Sequence, residues 1–166
     1  MNDLSEFKAF AERLAELARP IARHYFRSDA ATLGTIDKPD ATPVTLADMA
    51  IEQRLRDEIA AVYPAHGILG EEHDSVNLGA EWVWVIDPID GTKAFTCGKP
   101  QFGTLIALTH RGVPVVGVID QPVTGERWTG VKGAGSWFNG QPVRANAQVK
   151  PLAETIVLVT TPDQFT

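Results

Sequence analysis

A single cysteine, Cys97, stands in a chain of 166 residues, so no disulfide can form within it and a reducing cytoplasm suits it. With no His/Asn pattern to activate it, the thiol is expected to be a buried or bystander group rather than a nucleophile. No apolar run approaches the length of a membrane span. Met1-Asn2-Asp3-Leu4-Ser5-Glu6 has neither a basic start nor an apolar core, so no secretion signal is read and the expected location is cytoplasmic. Positive charge is also scarce. Fifteen Lys and Arg face 21 Asp and Glu, for a formal charge of −6, which argues against nucleic acid as the main partner. Acids gathered around a cation would account for part of that imbalance. With 44% hydrophobic and 22% charged residues, the chain reads as one ordinary globular domain, long enough for a core.

The apolar spacing lays out the elements. Phe7, Phe10, Leu14, Leu17, Ile21 and Tyr25 recur at intervals of three and four, one face of a long helix with Ser5 as its expected N-cap. Pro20 is expected to kink or split it. Thr32–Ile36 reads as a short strand, and Asp37–Pro43 as a loop of turn formers. A second helix starts at Thr45, with Asp48 at its third position, and ends at Tyr63-Pro64. His66–Gly70 is a short strand that delivers Glu71 and Glu72. Strands follow near 102–109, 113–119 and 126–131, with Asn139-Gly140 a hairpin signal. Closely spaced strands after two helices predict an α+β fold, two long helices packed on an antiparallel sheet.

The chemistry gathers at Trp82-Val83-Trp84-Val85-Ile86-Asp87-Pro88-Ile89-Asp90-Gly91-Thr92-Lys93-Ala94-Phe95. The apolar run predicts a strand buried on both faces, with Asp87 at its carboxyl end. Pro88 biases Asp87 towards extended backbone, and Asp90 can turn back beside it. Gly91 leaves room for a close approach. Thr92 offers a hydroxyl and an N–H at what reads as a helix start, where N–H groups favour an anion. Two carboxylates facing such a turn repel one another unless a cation lies between them. Magnesium suits that position, because it takes oxygen ligands and bridges carboxylates to phosphate.

Thr45-Leu46-Ala47-Asp48, Gly70-Glu71-Glu72 and the block from Asp87 to Thr92, in this order and spacing, resemble the inositol monophosphatase family of magnesium-dependent phosphatases. The resemblance covers nearly the whole chain. It implies the first half of a layered αβαβα fold, a small phosphorylated metabolite as partner, and a homodimeric full-length form, with no role for nucleic acid or membrane. It assigns Glu71, Asp87, the Ile89 backbone carbonyl and Asp90 to the cations, two or three Mg2+ in a complete site, with Mn2+ a possible substitute. Ile89, Asp90, Gly91 and Thr92 would bind substrate, and Lys38 would lie on a loop folding over the site. Asp48, Thr92 and Glu71 would be catalytic, with Asp48 hydrogen-bonded to Thr92 to polarise the attacking water. From the residues alone, Asp48 is equally a helix-terminus acid. Asp120 reads as a strand-end acid or a turn acid.

In that family a further aspartate comes from a Trp-Asp-x-x-Ala motif in a second domain, and no such motif occurs in this sequence. Residues 1–152 are therefore expected to form an N-terminal metal-binding α+β domain, and 153–166 the start of a truncated second one, with a strand over Thr155–Thr160. Lys93-Ala94-Phe95, Cys97-Gly98-Lys99-Pro100 and Phe102-Gly103-Thr104 look more like the histidinol-phosphate phosphatase branch than the inositol phosphate branch, and Lys93 also resembles the branch cleaving 3′-phosphoadenosine 5′-phosphate. The expected function is Mg2+-dependent hydrolysis of L-histidinol phosphate in histidine biosynthesis. Inositol monophosphate and the adenosine phosphate are the alternatives. An inactive metal-binding or dimer-forming module is the alternative of another class.

Overall fold

Alternating apolar side chains and tight turns at Arg111-Gly112, Gly125 and Asn139-Gly140, all with positive φ, fold the middle of the chain into successive hairpins. The computed structural model describes residues 4–37, 43–147 and 151–156. Its helices are α1 (Ser5–Tyr25), α2 (Ala30–Leu33), α3 (Leu46–Val62) and α4 (Thr92–Thr96). Its strands are β1 (Ile36–Asp37), β2 (Pro43–Val44), β3 (Gly67–Gly70), β4 (Trp82–Asp90), β5 (Gly103–His110), β6 (Val113–Gln121), β7 (Glu126–Val131), β8 (Gly135–Phe138) and β9 (Gln141–Val143). A 3-10 turn occupies Leu152–Glu154. Strands β3 to β9 form one sheet in chain order, and β1 pairs with β2. The fold is α+β, as the element pattern predicts.

The sheet is antiparallel except for β3 and β4, which run parallel, with Gly70 beside Ile86. This pair places two strand carboxyl ends side by side. Helices α1 and α3 pack together on one face of the sheet, around Leu14, Ile51, Leu55, Trp84, Ile106 and Leu108, all at most 1% exposed. The innermost ridge of α1 consists of Ala11, Ala15, Ala18 and Ala22, whose small side chains let the helix lie close to the sheet.

Several expectations change. Pro20 does not split α1, which runs unbroken from Ser5 to Tyr25. Tertiary packing of the alanine ridge outweighs the one hydrogen bond that proline removes. Ser5 is the first helical residue, not the cap. Thr32 and Leu33 belong to a helical turn, because the Asp29 carboxylate accepts the Thr32 N–H at 2.9 Å and Gly34 closes the turn at φ 56°. The central strand is buried on one face only. Trp84 and Ile86 face the helices, while Val83 and Val85 are half-buried on a face that also exposes Leu69, Ile119 and Trp128. Asp120 is the penultimate residue of β6, a strand-end acid rather than a turn acid. It lies fully buried within β6, held by Arg19 at 2.6 Å and Arg127 at 2.7 Å. Cys97 is exposed. Of the expected strand over Thr155–Thr160, residues 157–160 lie outside the described residues, as does most of 153–166.

Candidate metal and phosphate site

Three elements meet at the carboxyl ends of β3 and β4. The parallel register that sets Gly70 against Ile86 brings Glu71 next to Asp87. Beyond Asp87 the β4–β5 register shifts: Asp87 opposes Leu105, Asp90 opposes Gly103, and Pro88 and Ile89 together face Thr104. This is a β-bulge, fastened by the Thr104 hydroxyl donating to the Pro88 carbonyl at 2.8 Å. The third element, α3, begins with a complete capping box. Thr45 Oγ1 accepts the Ala47 N–H at 3.2 Å, while Asp48 Oδ2 accepts from the Thr45 N–H at 2.9 Å and from its hydroxyl at 2.6 Å.

Asp87 is the electrostatic centre of the group. Burial, the Glu71 and Asp90 charges, a hydrogen bond with Glu71 and, more weakly, Asp48 together raise its pKa to about 7. Burial likewise raises Asp48, against the lowering effect of its bonds to Thr45. Asp87 Oδ1 is buried and has no hydrogen-bond partner. A buried carboxylate oxygen left in that state is costly, and here it sits among three further acids. Among the described residues no three His, Cys, Asp or Glu side chains already stand arranged to hold a metal ion. The two observations agree: the acids are near enough to act on Asp87 but not closed around one centre. In donor type, charge and unmet coordination, the residues fit a hard divalent cation.

The turn after the acids is tightly specified. Gly91 has φ 93°, and a Cβ there would lie 3.0 Å from the Gln101 carbonyl oxygen, so both conformation and space call for glycine. The Thr92 hydroxyl donates to the Ile89 carbonyl at 3.0 Å, leaving that carbonyl a second lone pair. The hydrogen bond between Asp48 and Thr92 that the resemblance implies is not formed: Asp48 is taken by Thr45, and Thr92 by Ile89. Helix α4 is only five residues long, so it adds little as a helix dipole. Lys38 lies outside the described residues. His73 is half-buried, with Nδ1 3.2 Å from Glu52.

Sequence reasoning missed Glu52. It is fully buried one helical turn beyond Asp48, and its carboxylate receives the backbone N–H groups of Glu71, Glu72 and His73. The available signal was its place beside Ile51, on the stripe that continues through Leu55 and Ile59.

An α+β sheet whose strand-end acids adjoin a Gly-Thr turn defines the class of protein that the sequence motifs resemble. The inositol monophosphatase family's sequence profile matches residues 3–164, and the chain belongs to that family. It is 40% identical over 166 residues to the bifunctional phosphatase IMPL2, chloroplastic, of Arabidopsis thaliana, covering 99% of this chain and 47% of that protein. It is 40% identical over 147 residues to the histidinol-phosphatase of Chlorobaculum parvum, covering 89% of this chain and 56% of that one. Its fold superposes on an inositol monophosphatase from Zymomonas mobilis with a TM-score of 0.72 and 37% identity, over 90% of this chain and 56% of that one. The chain spans about half the length of the curated relatives it matches. No helix among the described residues is long and apolar enough to cross a membrane.

Proposed function

We propose that this chain carries the metal- and phosphate-binding half of a Mg2+-dependent phosphomonoesterase that hydrolyses L-histidinol phosphate to L-histidinol and phosphate, a step of histidine biosynthesis in the cytoplasm. The observation that carries the reading is the orphaned Asp87 Oδ1, buried among Glu71, Asp90 and Asp48. Glu71, Asp87, Asp90 and the Ile89 carbonyl would hold the cation, with Mn2+ able to replace Mg2+. When bound, the cation supplies positive charge against the phosphoryl oxygens and lowers the pKa of a water at the site.

The chain's own groups do the rest. Gly91 brings backbone close to the phosphate, and the Thr92 hydroxyl turns from Ile89 to a phosphoryl oxygen or the attacking water. With its hydroxyl turned from Ile89 towards Asp48, which Thr45 anchors, Thr92 would accept from the attacking water and pass a proton on to Asp48. Lys38 is assigned to the substrate side. The relatives are about twice as long as this chain, so we expect cation binding but little turnover from the 166 residues alone. The longer form is expected to be homodimeric.

The likeness to the histidinol-phosphatase of Chlorobaculum parvum supports the substrate assignment. The likeness to the Zymomonas mobilis inositol monophosphatase keeps inositol monophosphate as the second reading. Phosphate release should be measured side by side on L-histidinol phosphate, inositol 1-phosphate and 3′-phosphoadenosine 5′-phosphate, with Mg2+, using both this chain and the longest product of its reading frame. A rate on histidinol phosphate at least tenfold above the others supports the assignment. Comparable rates on all three would overturn the substrate, and absence of both Mg2+ binding and phosphate release would overturn the class.

A further inference from the structure

Helix α3 serves the strand ends twice. Asp48 lies in its first turn and Glu52 four residues on, at 0% exposure. Glu52 Oε2 accepts the N–H of Glu71 at 2.9 Å and of Glu72 at 2.8 Å, and Oε1 accepts that of His73 at 3.1 Å. Arg56, a turn further along, donates from Nε to Glu52 Oε1 at 2.8 Å and from Nη2 to the His73 carbonyl at 3.0 Å. The turn over residues 71–73 is thus grasped by its donors and by an acceptor. Position 70 is shaped to the same end, since any Cβ there would fall inside the Glu52 carboxylate.

We propose that Glu52 is a positioning residue for the metal-ligand set: by binding three successive backbone N–H groups just past β3, it fixes the direction in which Glu71 leaves the strand, so that the Glu71 carboxylate meets Asp87. Nothing in the reaction touches Glu52. Arg56 balances its charge, so its carboxylate organises the turn without competing for the cation. The inference rests on the reading of Glu71 as a ligand and extends it to a residue behind the site. Three aligned N–H groups at the end of a short strand would otherwise need water or a carbonyl. A buried carboxylate gives them stronger, charge-assisted bonds and one conformation.

The test uses the 166-residue chain and Mn2+ as probe. Binding is followed by electron paramagnetic resonance of free Mn2+, and backbone hydrogen exchange is read by NMR. Glu52→Gln keeps the size but loses the charge and half of the acceptors; it should bind Mn2+ at least tenfold more weakly at a temperature where it remains folded. A purely structural Glu52 would lower the unfolding midpoint and leave the affinity of the folded protein at the parent value, which would overturn the proposal. Should the variant fail to fold, the parent decides. Amides 71, 72 and 73 should already be protected without metal and change less than tenfold when Mg2+ is added. Amides that exchange freely until Mg2+ arrives would mean that the ion builds the turn, and the proposal falls. If the parent binds no Mn2+ at all, the site reading fails and this inference fails with it. Parent binding matched by Glu52→Gln overturns the positioning role alone.

Discussion

Glu71 and Asp87 follow directly on the paired residues Gly70 and Ile86, side by side at the carboxyl ends of two parallel strands, and burial together with the Glu71 and Asp90 charges raises the Asp87 pKa to about 7. Adjacent acids on neighbouring strands repel when both are ionised, so a proton or a cation between them would relieve that repulsion.

The proton gives a pH dependence for the metal-free chain. The Asp87 pKa lies at about 7 in the fold, against 3.8 for the free side chain. Below 3.8 the folded and unfolded chains both hold the proton, and the group has no effect. Between 3.8 and about 7 only the folded chain keeps it, so stability falls as pH rises, and above 7 the penalty is complete. Urea unfolding without metal should therefore show Asp87→Asn gaining stability over the parent at pH 8 by roughly 2–4 kcal/mol, with the gain vanishing near pH 3.

His66 titrates in the opposite sense. Trp84 Nε1 can only donate, and it donates to His66 Nδ1 at 3.1 Å, so the ring is neutral with its proton on Nε2. Tyr63 stacks on it at 4.6 Å, and burial lowers its pKa below 6.5. Stability from this group is fully present above pH 6.5 and is lost as pH falls through the lowered folded value. The NMR titration of the His66 ring should show a midpoint below 6.5, and Trp84→Phe should free Nδ1 and move that midpoint upward.

The capping box is a local device with a measurable effect. Thr45→Ala removes an acceptor for the Ala47 N–H and a donor to Asp48, and should lower stability by about 1–2 kcal/mol. Thr45→Ser keeps both bonds and should cost less than half as much in the same urea titration.

Asp120 joins α1 to the sheet. It holds Arg19 and Arg127, and Arg127 reaches on to Glu16 at 3.1 Å. Asp120→Ala leaves two half-buried guanidinium groups facing one another and should destabilise by roughly 3 kcal/mol. Adding Arg19→Met should recover part of that loss, since it removes one stranded charge, and a double-mutant cycle on thermal midpoints would measure the coupling.

Much of this was legible in the sequence, for particular reasons. The run from Trp82 to Ile86 is too apolar and too short for anything but a strand, and Thr45 with Asp48 is a cap that works through local contacts alone. Gly91 could be picked out because a glycine between an acid and a hydroxyl in a turn usually answers a backbone need. Periodicity failed where contacts are not local. On α3 it would pick out Met49 and Val62, which are exposed, and pass over Asp48, Glu52 and Arg56, which are buried on the same helix. A charged side chain enters a core only when distant partners await it, and the N–H groups of residues 71–73 are invisible to the pattern of α3. The Asp120 pairing with Arg19 likewise spans a hundred residues, and no spacing rule could announce it. Nor does the alternation within β3 and β4 say that they run in the same direction.

The bulge at Pro88 and Ile89 settles a matter of odd and even. Along an unbroken strand, residues three apart project to opposite sides, so Asp87 would look out and Asp90 would look towards the helices. Because two residues of β4 are counted against the single Thr104, the alternation resets and Asp90 shares Gly103's side, the one Leu105 and Asp87 already occupy. One surplus residue thereby turns an apparently mismatched Asp-x-x-Asp spacing into a facing pair, and trimming it would send one carboxylate into the core.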